Sequence, residues 1–256
     1  MIYRLDLHLH TEFSPDSCIS FTQAVQAAKQ HNLHALAICD HNRCAPQEIF
    51  DQPLRDGVLL IPAVEYSTEA GHLLGLFLKT PCRTPGEETG RVRFSDAAAA
   101  IHAAGGKCVL AHPYELTHHS VEESSAQIIT HASELDGIEI FNRRATKKRS
   151  NANALARAAA ERFSAPVLLT AGSDAHTVGE IGGAYVCVEA DSLRADALCA
   201  GLFSPVSFHC GKCRHMALAK SRLIRLQKKH AGFKSYLKWC AFAGVCLART
   251  VKGVFQ

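Results

Sequence analysis

The sequence predicts an α/β protein built on a mainly parallel β-sheet. Short apolar runs typical of buried strands alternate along residues 1–204 with longer stretches typical of helices. Such alternation gives parallel strands joined by helices, in a sheet that either closes into a barrel or stays open between two helical layers. In addition, histidine or carboxylate residues directly follow most of the apolar runs, which is where such folds build their active sites.

Seven apolar runs are the predicted strands, because each is short and ends near a charged or turn-forming residue. They are residues 2–7, 35–39, 58–64, 73–78, 107–111, 137–141 and 167–171. Five stretches are predicted helices, some of which begin after a Ser or Thr that can cap the first turn. They are residues 21–32, 94–104, 121–133, 146–162 and 192–200.

The composition is that of a globular protein with one large domain. The chain has 256 residues, of which 47% are hydrophobic and 20% are charged. Its first residues lack the pattern of a secretory signal, and no stretch approaches the roughly 18 apolar residues that a membrane-spanning helix requires. We therefore expect a cytoplasmic protein. Most of the eleven cysteines, which have irregular spacing, are expected to be free thiols.

The charge distribution divides the chain into a body, residues 1–204, and a C-terminal tail, residues 205–256. The tail contains eleven Lys and Arg residues and no Asp or Glu, whereas the body has 17 basic and 24 acidic residues. Two helices are predicted in the tail, at 216–229 and 234–251. We expect the tail either to bind nucleic acid or another anionic surface, or to pack on the body. Cys210 and Cys213 have zinc-site spacing, with His209 or His215 as a further ligand, but no second cysteine pair follows.

Several residues capable of binding a metal follow the predicted strands. His8 and His10 come after the first run, and residues at i and i+2 of a strand point to the same face, so both can bind one ion. Five further residues follow later runs, namely His41, Glu65, His112, Asp174 and His176. His72 differs because it lies at the start of its strand. The other histidines singled out lie on predicted helices or loops without such partners and are not expected to bind metal; they are His31, His34, His102, His118, His119 and His131.

Five motifs carry a resemblance to a known family. In order they are DLHLHTEFSPDS, CDHN, VEYSTEAGHLLGL, AHP and GSDAH. Together they resemble the successive motifs of the PHP (polymerase and histidinol phosphatase) family of metal-dependent phosphoesterases. The resemblance implies a distorted seven-stranded β/α barrel, TIM-like in form, with two or three divalent ions. Mixed imidazole and carboxylate ligands suit Zn, Mn or Fe.

The resemblance also implies three sets of ligands. His8, His10, Glu65 and Asp174 would hold the first ion, and Glu65, His72 and His112 the second, so that Glu65 bridges. Asp16, His41 and His176 would hold the third. Asp40 and Asn42 are expected to orient imidazoles or substrate.

The implied reaction is hydrolysis of a phosphoester by a metal-activated water at a trinuclear site, with Glu65, Asp174 and His176 as catalytic residues. Arginine binds phosphate oxygens bidentately, so Arg143 with Asn142, and less strongly Arg43, are predicted phosphate contacts. Four neighbouring cations are instead expected on the solvated first turn of a helix; they are Arg144, Lys147, Lys148 and Arg149. The substrate is left open between a phosphomonoester, a nucleotide and a nucleic-acid end.

Two other functions stay open. Amidohydrolase-type barrels also begin with H-x-H and end with a metal-binding aspartate, although the separate Asp16, His41 and His176 set has no obvious role there. A catalytically silent scaffold is the second alternative, and loss of ligands would be its mark. All predicted ligands lie before Thr177, so a chain ending near Phe203 is expected to keep hydrolysis of a small phosphoester.

Overall fold

The computed structural model describes residues 1–85, 90–115, 121–145 and 151–254. Its strands are β1 (Ile2–Leu9), β2 (Ala35–Ile38), β3 (Leu54–Arg55), β4 (Val58–Pro62), β5 (Val64–Thr68), β6 (Gly71–Leu76), β7 (Lys107–Leu110), β8 (Gly137–Asn142), β9 (Leu168–Gly172), β10 (Ala184–Glu189) and β11 (Ser207–Cys210). Its α-helices are α1 (Phe21–Gln30), α2 (Gln47–Asp51), α3 (Phe94–Ala103), α4 (Val121–His131), α5 (Ala152–Ala160), α6 (Ala195–Gly201), α7 (His215–Lys228) and α8 (Phe233–Val254).

The described strands form two hydrogen-bonded sheets. One has the order β11-β10-β1-β2-β4-β3 and the other β5-β6-β7-β8-β9. The expectation of a mainly parallel sheet is wrong, because β1–β2, β2–β4, β7–β8 and β8–β9 are parallel while the other five pairs are antiparallel. Tight turns produce part of this difference. Gly57 lies in the turn before β4 and Gly71 is the first residue of β6; both have positive φ, so each of these strands folds back on its predecessor.

Isolated parallel bridges join the two sheets at the end of β1 and just after β2. Leu9 bridges to Ala175 after β9, and His41 bridges to Glu65 in β5. The described residues show these bridges in place of the continuous ladder of a closed seven-stranded barrel. The carboxyl ends of β1, β2 and β9 and the first half of β5 are thereby brought together.

Most predicted elements agree with the structure within a few residues. The run 58–64 is two strands, because the ladder of β4 ends at Pro62 and β5 starts at Val64. β3, β10 and β11 are missing from the prediction. The predicted helix 146–162 is observed as α5, and residues 146–150 lie outside the described part of the chain, as do Lys147, Lys148 and Arg149.

Helix α1 shows how local sequence sets an element that supports the centre. Its cap Ser20 exchanges hydrogen bonds with Gln23, which satisfies two backbone donors at the first turn. Its buried face consists of Ala24, Val25, Ala27 and Ala28, which pack against Leu9 and Ile38 in one apolar cluster. Burial of these small side chains holds α1 close to the ends of β1 and β2.

The tail begins as part of the first sheet and ends in two helices. β11 pairs antiparallel with β10, and α7 and α8 pack on each other. The Trp239 indole N–H donates to the Ala219 carbonyl at 2.8 Å, and the Arg222 guanidinium lies over the Phe242 ring. Among the described helices, none combines the length and apolar character needed to cross a membrane. All eleven cysteines are free thiols, as the sequence predicts.

Candidate metal centre

His8 and His10 lie at the end of β1 with fully buried side chains. Both imidazoles point to the same side, and their Nε2 atoms are 3.2 Å apart. Gly172 at the end of β9 makes this approach possible, because a Cβ at that position would overlap the Cβ of His8. The glycine thus allows β9 to pass directly behind the His8 ring.

Glu65 on β5 lies at the middle of the centre. Its carboxylate is 1% exposed, and a nitrogen atom from each of five imidazoles lies within 3.4 Å of one of its oxygens. The shortest separations are to His41 Nδ1 at 2.7 Å and to His72 Nδ1 at 2.8 Å. The other three imidazoles belong to His8, His10 and His112. This carboxylate is therefore in reach of two sets of nitrogen ligands, one on each side.

The residues of the first two implied ligand sets lie next to each other. In the first, Asp174 Oδ1 is 3.4 Å from His10 Nε2 and 3.9 Å from His8 Nε2. In the second, His72 Nδ1 and His112 Nε2 approach the same oxygen of Glu65, at 2.8 and 3.3 Å. His8, His10 and Glu65 of the first set, and Glu65, His72 and His112 of the second, are spaced so that each group can bind one ion, with Asp174 beside the first.

His72 reaches this centre because β6 runs antiparallel to β5. Unlike the other candidates, His72 lies at the start of a strand. It is opposite Ser67 on β5, and its carbonyl accepts from the Ala111 N–H, just after β7, at 3.0 Å. An antiparallel strand starts at the edge where its neighbours end, so the exception in the sequence has a simple topological cause.

The third implied set is assembled from three loops. Asp16 Oδ1 lies 3.3 Å from His176 Nε2 and 3.8 Å from His41 Nε2. The His10 ring is beside both imidazoles, with ring centroids 4.1 Å from His176 and 4.3 Å from His41. His10 is thus shared between the first and third sets.

The donor set fits divalent cations. Three buried atoms, namely Asp16 Oδ1, His41 Nδ1 and Glu65 Oε2, make no well-aligned hydrogen bond within the described structure. The last two are only 2.7 Å apart, and both face the centre. Buried polar atoms without partners are costly, and a cation between them would satisfy them. Mixed nitrogen and oxygen donors suit Zn, Mn and Fe.

The electrostatics favour the ligand forms of Glu65, Asp174 and His10 and the protonated forms of three other imidazoles. Burial alone would raise the pKa of Glu65, but His72, His41 and His8 hold it well below its usual value; the pKa of Asp174 is lowered in the same way, chiefly by His8. Burial lowers the pKa of His10, and the nearby His176 and His41 lower it further. Glu65 and Asp174 are therefore anionic and His10 is neutral, which are the forms that bind cations. Against the effect of burial, nearby carboxylates raise the pKa of His8 and His41, and that of His112 to about 9, so these three imidazoles would release a proton on binding an ion.

Glu139 is a member of the centre that the sequence analysis misses. Its side chain is buried in β8, and its Oε1 lies 3.1 Å from His8 Nδ1. Its Oε2 accepts from the His112 N–H at 2.9 Å and from the Asn142 amide at 3.0 Å. Such a carboxylate fixes the imidazole so that the other ring nitrogen faces the ion. The available signal was a charged residue between two apolar ones in the run GIEIF.

Asp40 and Asn42 fix the loops that carry the imidazoles. Asp40 Oδ1 accepts from the Thr11 N–H at 2.8 Å and from the Ser14 hydroxyl at 2.6 Å. The same hydroxyl is 3.2 Å from His10 Nδ1, so Asp40 is connected to this imidazole through Ser14. Asn42, at φ 50°, accepts from the Ser67 N–H on β5 at 2.9 Å.

The three predicted phosphate contacts have different surroundings. Asn142 is fully buried, and its amide donates to Glu139 and, at 3.4 Å, to Asp174. Arg143 donates from Nε to the Lys212 carbonyl and from Nη1 to the Glu180 carbonyl. Arg43 is exposed beside His41, with its guanidinium over the Phe13 ring. The first two are thus engaged with the protein, and Arg43 faces solvent.

The expectation that Arg144 is solvated is wrong. Its side chain is 11% exposed and forms a bidentate ion pair with Glu180, at 3.2 Å from Nε to Oε1 and 3.1 Å from Nη2 to Oε2. Burial opposes the charge of Arg144, but Glu180 and Asp174 raise its pKa. Glu180 also accepts from the His176 N–H at 3.1 Å. The ion pair therefore holds the loop that carries His176.

Most other candidate ligands lie outside every ligand group of the described residues. Cys210 and Cys213 belong to none of the ligand groups among the described residues, and Cys210 Sγ accepts from the Asn153 amide. His102 lies near Cys108 and Asp136, where Lys107 also donates to the carboxylate. His31, His34 and His131 are in no ligand group of the described chain, and His118 and His119 lie outside it.

The chain is similar to known proteins in both sequence and fold. An uncharacterized protein of Methanocaldococcus jannaschii is 26% identical over 190 residues, which are 72% of this chain and 69% of that protein. The fold is similar to a Bacteroides vulgatus two-domain protein containing a predicted PHP-like metal-dependent phosphoesterase, with TM-score 0.61, 19% identity and coverage of 86% of this chain and 69% of that one.

Two further solved structures share the fold. The lesion-specific endonuclease Q of Pyrococcus furiosus has a TM-score of 0.58 and 14% identity, over 82% of this chain and 57% of that one. An amidohydrolase of Chromobacterium violaceum with bound sulfate has a TM-score of 0.56 and 17% identity, over 70% of this chain and 89% of that one. The family model for the PHP domain matches residues 6–243. With this match and a centre of clustered histidines and glutamates, the chain belongs to the PHP domain family.

Proposed function

We propose that this protein hydrolyses phosphoesters with two or three divalent metal ions, Zn, Mn or Fe, bound around Glu65. The observation that carries the proposal is the buried Glu65 carboxylate with five imidazoles around it. A carboxylate in this position can bridge two ions. When bound, such ions activate a water and neutralise charge on the attacking and leaving oxygens.

In this proposal the protein residues hold the ions and control protons. His8, His10 and Asp174 bind on one side of Glu65, and His72 and His112 on the other. Asp16, His41 and His176 form the third set. His176 Nδ1 lies 2.9 Å from the Asp174 carbonyl, which leaves Nε2 directed at Asp16 and available as a ligand. Asp174 is anionic and lies next to His10, so its carboxylate is available as a ligand of the first ion.

For the phosphate group we propose Arg43 as the contact from the protein. It is exposed beside the third ligand set, and a guanidinium can bind two phosphate oxygens. Asn142 and Arg143 are better explained as residues that fix Asp174, Glu139 and the loop before β10, because their donors are engaged there.

The substrate class is open between a small phosphomonoester, a nucleotide and a nucleic-acid end. Endonuclease Q has been seen with a 27-mer duplex containing an abasic lesion at its active site, which supports the nucleic-acid end. The sulfate of the amidohydrolase supports anion binding in this fold. A cytoplasmic location is part of the proposal, because eleven free thiols suit a reducing compartment.

The reaction class is tested by a substrate screen with metal removal. We expect turnover of phosphomonoesters, nucleotides or short oligonucleotides that is lost on chelation and restored by Mn²⁺ or Zn²⁺. Hydrolysis of amides and lactones alone would favour an amidohydrolase. A metal-replete protein without turnover on any class would favour a catalytically silent scaffold.

Replacement of Glu139 by Gln is expected to lower metal affinity by about 10- to 100-fold, because the carboxylate that fixes the His8 ring loses its charge. Competition with a fluorescent chelator measures this change. Glu161→Gln on an exposed position is the matched control and should bind like the wild type. Equal affinities in both variants would show that Glu139 does not contribute to ion binding.

We further propose that the tail, residues 205–256, contacts nucleic acid or another anionic surface. Lys220, Lys234 and Lys238 are exposed on α7 and α8, next to exposed Leu237. Affinity for single-stranded DNA is expected to fall with salt, and replacing these three lysines by Gln should reduce the logarithmic slope by about 2. Binding that is independent of salt, or a slope unchanged in the triple variant, would leave these lysines as solvated surface.

A further inference from the structure

Lys228, near the end of α7, reaches the loop that follows β1. Its Nζ donates to the carbonyl oxygens of Glu12, Ser14 and Ser17, each at 2.7 Å. An ammonium group has three donors and no acceptor, so these contacts use its full capacity. Hydrogen bonds from a charged donor are stronger than neutral ones. The three carbonyls belong to one short loop, residues 12–17, which Lys228 helps to hold together with the Ser14 and Ser17 hydroxyls, which donate to Asp40 and to the His10 carbonyl.

Asp16 lies between two of these carbonyls. Its Oδ1 faces His176 and His41 but makes no well-aligned hydrogen bond among the described residues. The direction of this carboxylate therefore depends on the backbone of residues 14–17. That backbone is fixed on both sides of Asp16 by the Lys228 ammonium.

A second contact connects the tail to the loop of His176. Arg214 Nη1 donates to the Gly179 carbonyl at 2.6 Å, three residues after His176. Arg143, directly after β8, donates from Nε to the carbonyl of Lys212, just before Arg214. Arg214, directly before α7, and Lys228, its last residue, thus reach the loops that carry His176 and Asp16.

We propose that Lys228 is a positioning residue for the Asp16, His41 and His176 set, so that the tail is part of the metal centre. This inference rests on the proposed function in assigning an ion to that set. Fixing Asp16 before an ion binds reduces the ordering cost of binding. The chain ending near Phe203 is then expected to lose this site, the opposite of the expectation from ligand positions alone.

The test compares Lys228→Met with Lys229→Met. Both remove one positive charge from an exposed residue at the same helix end, and the contacts to the Glu12, Ser14 and Ser17 carbonyls belong to Lys228. In metal-free protein, amide hydrogen exchange in residues 12–17 is expected to be about tenfold faster in Lys228→Met and unchanged in Lys229→Met. If Lys228→Met does not fold, Lys228→Arg takes its place, because a planar guanidinium does not match three converging carbonyls.

The second readout is a Co²⁺ titration followed by visible absorption. In Lys228→Met the ion of the Asp16, His41 and His176 set is expected to bind about 10- to 100-fold less tightly. Binding at the other sites is expected to be unchanged. Unchanged exchange in residues 12–17 would overturn the inference whether or not the protein is a phosphoesterase. Faster exchange with wild-type Co²⁺ binding would also overturn it, because the lysine would then only dock the tail. Failure of the wild type to bind ions would instead count against the proposed function.

Discussion

Replacement of Glu65 by Gln is expected to reduce hydrolysis by about a thousand-fold or more, which corresponds to about 4 kcal/mol in the barrier. The amide keeps the shape of the carboxylate but removes the negative charge that faces five imidazoles. Without that charge two ions cannot share one side chain. Elemental analysis should therefore find at least one ion fewer per chain than in the wild type, alongside the loss of turnover.

The control for this variant is Glu189→Gln on β10. It makes the same chemical change on an exposed residue and should retain the metal content and rate of the wild type. Circular dichroism of both variants checks the fold. A folded Glu65→Gln protein with full metal content and turnover would show that the carboxylate is not the shared ligand.

Replacement of Glu180 by Gln is expected to lower the free energy of unfolding by about 3 kcal/mol and Tm by about 10 °C. The change removes the partner of the buried Arg144 guanidinium and leaves its charge uncompensated. It also weakens the acceptor for the His176 and Thr177 backbone N–H groups. Urea denaturation measures the first quantity, and calorimetry the second.

An exposed ion pair provides the comparison. Asp196 lies at 3.3 Å from Arg194, with both side chains more than 70% exposed, and Asp196→Asn should leave Tm unchanged within error. If Glu180→Gln were as stable as Asp196→Asn, the pair with Arg144 would contribute nothing to the loop. The position of His176 would then need another explanation.

The sequence predicted the local features of the centre well. His8 and His10 could be assigned to one face from the spacing of a strand alone, and the structure directs both to Glu65. The remaining candidates at strand ends lie together because the ends of β1, β2 and β9 and the first half of β5 meet. Strand periodicity and the order of elements determine such positions, and both are visible in sequence.

Features that depend on distant partners were not predicted. In the sequence, Arg144 belongs to a run of cations that is expected to be solvated. Its burial depends on the ion pair with Glu180, 36 residues away. Glu139 reads as one polar position in a strand, and its role depends on His8, 131 residues away. Lys228 pairs with carbonyls more than 200 residues earlier. No local pattern encodes these contacts, because they arise only when the sheets and the tail pack.

The most direct test of the account is anomalous X-ray diffraction from wild-type crystals grown with Mn²⁺. We predict two or three anomalous peaks around Glu65, two of them about 3.5 to 4 Å apart with this carboxylate between them. A third peak would lie beside Asp16, His41 and His176. A single peak, or peaks that do not contact Glu65, would contradict a shared metal centre at this residue.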